Sequence, residues 1–238
     1  MDTNKLNIYQ LNNGYCYNSD SLFLYSFARK FLQNKISVLD IGAGSGILGL
    51  LCARDFNVTL TLNELDTMMA KICNKNALAN KIKCKVLQGD ILLISDINKQ
   101  DIIISNPPFY RRDSINPKSK YLYLAKKSEN LPLESLCHFA KNNLKSNGKF
   151  IFCYSAKEVS NVLYCLHMCK LNVNVMRFVH PKENKNANLV MLACSNSKNT
   201  CEILPPLFNF CDNKHSNEVK NIFNICNTLS IKINESEI

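Results

Sequence analysis

The sequence predicts an α/β fold: a doubly wound, mostly parallel sheet of seven strands that ends in an antiparallel edge hairpin, with an extra N-terminal helix ahead of it. Three observations predict it. From residue 36 onward, apolar runs of strand length alternate with helix-length segments, as successive βαβ units require. Four of the seven glycines crowd between residues 42 and 49, where a strand gives way to a helix. Two late strand candidates are joined by the polar stretch His180 to Ala187 with no helix between them, which suits a hairpin and an antiparallel strand at the sheet edge.

The elements follow in order. Asn18 to Leu32 reads as the N-terminal helix, Ile36 to Ile41 as the first strand and Ser45 to Asp55 as a helix. Val58 to Glu64 is a strand, Asp66 to Asn80 a helix, and Cys84 to Gln88 and Asp101 to Asn106 are strands. Leu131 to Lys145 reads as a helix, Gly148-Lys149 as the turn into strand Phe150 to Tyr154, and Ala156 to Lys170 as a helix. Asn172 to Val179 and Asn188 to Cys194 complete the seven, and Ser216 to Leu229 suits a terminal helix. With no linker, repeat or low-complexity stretch, one domain over 1–238 is expected: 1–35 as an N-terminal extension, 36–195 as the core sheet and 196–238 as a C-terminal tail.

A hydrophobic fraction of 46% and a charged fraction of 20% in 238 residues are those of a globular chain with a substantial core. No apolar run approaches the roughly 18 residues of a membrane span, and Met1 to Asn13 does not read as a signal peptide. A cytoplasmic location is therefore expected. The twelve cysteines are scattered, mostly within apolar stretches, where a reduced thiol acts as a small hydrophobe. There is no Cys-x-x-Cys, and in the helix that holds Cys165, His167 and Cys169 positions two apart point to different faces, so no metal is expected.

The net charge of +10 favours polyanionic partners. Half of it lies in one stretch, where Arg111, Arg112, Lys118, Lys120, Lys126 and Lys127 face a single acid, Asp113. On its own such a stretch reads equally well as a solvated loop.

Asp40-Ile41-Gly42-Ala43-Gly44-Ser45-Gly46 closes the first strand and opens the first helix. Glycines there let the backbone turn sharply and approach a ligand. A dinucleotide loop would need glycine at Ile47, and no Gly-Lys-Ser/Thr follows for a P-loop. The Gly42, Gly44, Gly46 spacing with Asp40 ahead is the pattern that binds S-adenosylmethionine. Glu64 at the end of the second strand can accept the ribose hydroxyls, Asp90 after the third can accept the adenine amino group, and Asp40 can meet the ligand's ammonium. Leu65 and Ile91, which follow two of these acids, are assigned to the same cofactor site. Capping of helices and turns is the plainer role for Glu64, Asp66 and Asp90.

Ile104-Ser105-Asn106-Pro107-Pro108-Phe109-Tyr110 closes the fourth strand. A residue before proline is pushed to extended backbone, and Pro107 and Pro108 carry no N–H. A wall of acceptors results, the Asn106 side-chain oxygen and the Pro107 carbonyl. It suits the grip of an –NH2 group by both hydrogens, which aims the nitrogen lone pair at a methyl donor. Phe109 would stack on a flat substrate. The catalytic set is thus Asn106, Pro107, Pro108 and Phe109, with Asn106 also touching the cofactor. The plainer alternative is a rigid turn with a core Phe.

Asn-Pro-Pro-Phe after a Gly-x-Gly-x-Gly strand resembles the class I amino-methyltransferases that act on adenine N6, cytosine N4 and glutamine N5. More narrowly, the chain resembles the tRNA(Val) adenine-N6 methyltransferase family. Besides Asn106 to Phe109 and Asp40 to Gly46, the segment Gly14 to Leu22 looks like that family's Gly-Tyr-x-Phe-x-x-Asp-x-x-Leu. Val179-His180-Pro181 with Ala187-Asn188-Leu189-Val190 is similar to its late hairpin. The resemblance implies a Rossmann-like methyltransferase fold and S-adenosylmethionine as cofactor, with the N-terminal extension, including Tyr15 and Asp20, lying against it. It implies tRNA as partner and the adenine just 3′ of a valine anticodon as target; the basic stretch from Arg111 to Lys127, directly after the catalytic turn, suits RNA phosphates. A monomer with no membrane partner is expected. Phe109 stands where tyrosine is commoner in the family, which keeps stacking and loses a hydroxyl.

Glutamine-N5 methyltransferases of release factors share Asn-Pro-Pro, but usually carry a separate N-terminal helical domain. A DNA methyltransferase would want a target-recognition domain. A silent RNA-binding module is opposed by the intact motifs, and a nicotinamide dehydrogenase by Ile47.

Overall fold

The computed structural model describes residues 5–13, 16–95, 97–108, 131–198 and 200–238. Strand β1 (Leu6–Leu11) leads into helix α1 (Ser19–Ala28), capped by the Asn18 side chain on the Asp20 amide. The βαβ series follows: β2 (Ser37–Ile41), α2 (Ile47–Asp55), β3 (Thr59–Glu64), α3 (Thr67–Ala79), β4 (Cys84–Gln88) and β5 (Gln100–Ser105). After it come α4 (Leu133–Asn143), β6 (Leu144–Ser155), α5 (Val159–Met168), β7 (Asn172–Lys182) and β8 (Leu189–Ser195). The C-terminal region adds β9 (Glu202–Ile203), β10 (Leu207–Cys211), β11 (Lys214–His215), α6 (Asn217–Cys226) and β12 (Thr228–Ile233).

The main sheet runs β11-β10-β7-β8-β6-β5-β2-β3-β4, with β9 paired to β7. The expected seven-stranded core is present as β7-β8-β6-β5-β2-β3-β4. Strands β4, β3, β2, β5 and β6 are mutually parallel, and β8 runs antiparallel to both β6 and β7. The antiparallel strand of the expected hairpin therefore lies inside the sheet, and the outer strand β7 is covered by β10, in parallel, and by β9. Three short strands beyond the seven cover an open edge that would invite pairing with another chain.

Residues on alternate strand positions serve two cores, as a sheet covered on both faces requires. Val38, Ile102, Ile104, Ile151 and Cys153 pack with α1, α2 and α6. Leu39, Ile103, Phe150 and Phe152 pack with α4 and α5. Strand β6 starts at Leu144, six residues before the expected Phe150, because Gly148 lets the two chain segments come close: a Cβ there would lie 2.8 Å from the Gln100 carbonyl oxygen. The register against β5 shifts at the same place, between Gln100 and Ile102.

Strands β1 and β12 pair in parallel, Leu6 opposite Thr228 through Leu11 opposite Ile233. The other edge of β1 docks on α3. Asn76 and Asn80, one helical turn apart, exchange hydrogen bonds with the backbones of Tyr9 and Asn7, two strand residues apart, at 2.7–3.0 Å. The two spacings are both roughly 6 Å, so side-chain amides substitute for a neighbouring strand. Among the described residues no helix is long and apolar enough to cross a membrane.

Candidate active site

The strand order reverses at β2, whose neighbours are β3 on one side and β5 on the other. Open α/β sheets leave a crevice at the carboxyl ends of such a pair. The glycine loop follows β2 there, and Asn106 follows β5. Ser105 ties the two ends by donating its hydroxyl to the Ile41 carbonyl at 2.8 Å.

Gly42, Gly44 and Gly46 have φ of +67°, +60° and +81°, so the loop needs residues without a Cβ. A Cβ on Gly42 or Gly44 would meet nothing within 4 Å, since both face an open cleft. Gly49, in α2, has a different duty: a Cβ there would lie 2.5 Å from Leu62 Cδ2 and 2.9 Å from Leu60 Cδ1, so it lets the helix sit close on β3. The loop is pinned from outside. Ala43 donates its amide to the Asn63 carbonyl at 2.9 Å, Gly44 donates to Glu64 Oε2 at 2.7 Å, and the Ser45 carbonyl accepts from Asn76 at 2.8 Å.

A small cleft opens over this loop, lined by Tyr17, Ser21, Asp40, Gly42, Ala43, Gly44, Ser45, Ile47, Leu48 and Asn106. It brings together Asp40, Gly42, Gly44 and Asn106 of the sequence-predicted residues. Gly46, Glu64, Leu65, Asp90, Ile91 and Asp20 are not among the residues that line it. Asp40 is 1% exposed and accepts the Gly49 amide at 2.8 Å. Burial, with the Glu64 charge adding to it, pushes the Asp40 carboxyl up to about 7. Glu64 accepts the Asp66 amide at 3.0 Å on its other oxygen, and burial raises its pKa too. A buried carboxyl, Asp40, with the half-buried Glu64 near it favours a cationic occupant.

Asp66 and Asp90 both act as caps. Asp66 accepts the Met68 and Met69 amides at 2.9 Å, and Asp90 accepts the Leu92 amide at 2.9 Å. Leu65 is exposed and Ile91 is buried in the α4–α5 core.

Asn106 is half-buried, with Pro107 buried behind it. Its Nδ2 donates to Ser21 Oγ at 3.1 Å, and its Oδ1 accepts from the Cys153 thiol at 3.1 Å. Burial raises the Asp20 carboxyl, and burial holds the Cys153 thiol far above its ordinary range, with the Asp20 charge contributing. Sequence reasoning assigned no role to Tyr17, Ser21, Ser45 or Cys153. Tyr17 and Ser21 lie inside the N-terminal segment Gly14 to Leu22, and Ser45 inside the glycine loop. Tyr15, Phe109, Arg111, Arg112, Lys118, Lys120, Lys126 and Lys127 lie outside the described residues.

The wall fits a small polar ligand by one further test. Ser45 Oγ is buried in the lining and finds no hydrogen-bond partner among the described residues. Among the described residues no group of three or more His, Cys, Asp or Glu could hold a metal ion, and no disulfide joins two cysteines.

The family model described as the methyltransferase small domain matches residues 18–167. A Pedobacter heparinus protein named tRNA1(Val) (adenine(37)-N6)-methyltransferase is 29% identical over 171 residues, 71% of this chain and 72% of its own. A Shewanella putrefaciens protein of the same name is 28% identical over 193 residues, 79% and 80% of the two chains. Among solved structures, a predicted O-methyltransferase from Agrobacterium tumefaciens superposes with a TM-score of 0.67 at 17% identity, covering 90% of this chain and 100% of that one. At that identity the likeness speaks to the fold.

Proposed function

We propose a function from one premise: the chain belongs to the methyltransferase small domain family. It is an S-adenosylmethionine-dependent methyltransferase, and we infer that its acceptor is the exocyclic amine of an adenine in tRNA. The target inferred is the adenine just 3′ of the anticodon in a valine tRNA, as the names of the relatives have it. The observation that carries an amine acceptor is Asn106, held at the edge of the glycine-loop cleft immediately before Pro107. A tRNA substrate implies work in the cytoplasm, and residues 1–238 are inferred to act as one methyltransferase domain.

In this reading Gly42 and Gly44 allow close approach to the cofactor, and Asp40 faces its ammonium. Glu64 keeps a lone pair on each oxygen for the ribose, and Asp90 Oδ2 is left for the adenine. Gly46, Leu65, Ile91, Tyr15 and Asp20 complete that surface. When bound, S-adenosylmethionine supplies an electrophilic methyl group. The chain's own part is to hold the amine. Asn106 Oδ1 and the Pro107 carbonyl accept its two hydrogens, which favours the pyramidal nitrogen and turns its lone pair toward the methyl. Positioning and fixed dipoles carry this step. Pro108 keeps the turn rigid, Phe109 stacks on the base, and Arg111, Arg112, Lys118, Lys120, Lys126 and Lys127 meet RNA phosphates.

The test is incubation with methyl-labelled cofactor and separate pools of tRNA and peptide-chain release factor. N6-methyladenosine in tRNA is the expected product. Label on a release-factor glutamine would overturn the substrate and keep the amine chemistry.

A further inference from the structure

A carboxamide keeps nearly the same outline when its oxygen and nitrogen are exchanged. The acceptor role of Asn106, on which the following assignment rests, therefore demands something that tells the two ends apart. A flipped amide would aim N–H groups at the amine's own hydrogens.

We propose that Ser21 and Cys153 are positioning residues that fix the Asn106 amide, with Cys153 deciding which end is oxygen. Asn106 Nδ2 donates to Ser21 Oγ at 3.1 Å, from the first turn of α1. Its Oδ1 accepts from Cys153 Sγ at 3.1 Å, from β6. The hydroxyl is permissive, because it can donate or accept. The thiol is selective: S–H donates, and its sulfur is a poor acceptor. Cys153 is fully buried, so it stays protonated and remains a donor. The bond engages one lone pair of Oδ1 and leaves the second for the acceptor amine. Ser21 adds a link of its own, because it joins the N-terminal extension to the catalytic turn across 85 residues of sequence. Both positioning side chains are buried while Asn106 is half-open, so the amide is gripped on one side and presented on the other.

The experiment compares Cys153→Val, which keeps an apolar side chain one heavy atom larger and loses the donor, with Cys153→Ser, which keeps the donor. Ser21→Ala and Ser21→Thr form the second pair. On the substrate that the wild-type protein methylates, Cys153→Val is expected to lower kcat about tenfold, the worth of one ordinary hydrogen bond. The cofactor Kd from calorimetry should stay within about twofold, and Cys153→Ser should recover most of the rate. Ser21→Ala should fall likewise and Ser21→Thr recover. Wild-type kcat in Cys153→Val, an equal loss in Cys153→Ser, or a loss confined to cofactor binding would each overturn the assignment.

A second measurement needs no substrate and so separates this assignment from the tRNA reading. Unfolding free energies of Cys153→Val, Asn106→Ala and the double variant form a cycle. Non-additive losses support the bond and additive ones refute it. Should Cys153→Val fail to fold, Cys153→Ala takes its place in both measurements.

Discussion

The side-chain amide of Asn76 donates to the Ser45 carbonyl at 2.8 Å, so a fully buried residue of α3 holds the middle of the glycine loop. The same amide bonds both backbone groups of Tyr9 in β1. One side chain thus connects the N-terminal strand to the wall of the cleft.

Asn76→Ala should leave the Tyr9 amide, the Tyr9 carbonyl and the Ser45 carbonyl without this partner. Stranded buried groups of that kind cost on the order of 3 kcal/mol together. A melting temperature lower by on the order of 10 °C is expected, with weaker cofactor binding in calorimetry. An unchanged melting curve would show that β1 docks without it.

Two glycines of the loop region should separate by assay. Gly44→Ala puts a Cβ into the open cleft at a φ of +60°. It should cost about 1–2 kcal/mol of stability and lose cofactor binding. Gly49→Ala forces a Cβ against Leu62 and Leu60, an overpacking penalty of about 1–3 kcal/mol, so its main defect should be thermal. Calorimetry and thermal melts on both variants would reveal a reversal of this order.

Asp40 gives a pH signature. Its folded pKa of about 7 stands above the unfolded carboxyl's ordinary value near 4. Between those values the folded state binds a proton that the unfolded chain has released. Stability of the cofactor-free protein should therefore fall as pH rises from about 4 to about 7, then level off. Affinity for the cationic cofactor should rise over the upper part of that window, as the carboxylate forms. Asp40→Asn should flatten both profiles, and profiles identical to wild type would remove Asp40 from the site.

Asn106→Ala should abolish transfer, by roughly 10³-fold on the scale of a lost transition-state hydrogen-bonding group, while the cofactor Kd changes little. Phe109→Ala should lose far more than Phe109→Tyr, which keeps a stacking ring. Single-turnover rates with bound cofactor measure both. Full activity in Asn106→Ala, or equal rates in the two Phe109 variants, would contradict the grip.

RNA affinity should fall steeply with salt, and the slope should flatten when Arg111 and Arg112 are replaced, because a protein that neutralises fewer phosphates releases fewer counterions. Filter binding across a salt series reads the slope. An unaltered slope would take these arginines out of the interface.

Most of the sheet was legible because its strands repeat a local pattern, apolar alternation between two covered faces, as at Val38 and Leu39 or Ile102 and Ile103. The bounds Cys84 to Gln88 agree with β4. Strands β1 and β12 were not legible, since each is six residues of mixed polarity that pairs, among the described residues, with the other alone. The C-terminal strands β9 and β11, two residues each, are too short for the same kind of detection.

The glycine loop was legible because left-handed backbone selects the residue type itself. Ser21 and Cys153 were not, because folding alone brings them to Asn106 from 85 and 47 residues away. The acids show a third case: Asp66 and Asp90 carry capping bonds that sequence spacing also allowed.

The pairing of Leu6 with Thr228 has a consequence for synthesis. A ribosome adds about 5–20 residues per second, and the strand that β1 pairs with emerges only after the whole βαβ core. Tyr17, on the cleft wall, waits as well, because its hydroxyl bonds Thr228 at 3.0 Å. The cleft therefore gains this hold on Tyr17 only after residue 228 is made, and a nascent chain stalled before it carries the glycine loop without that contact.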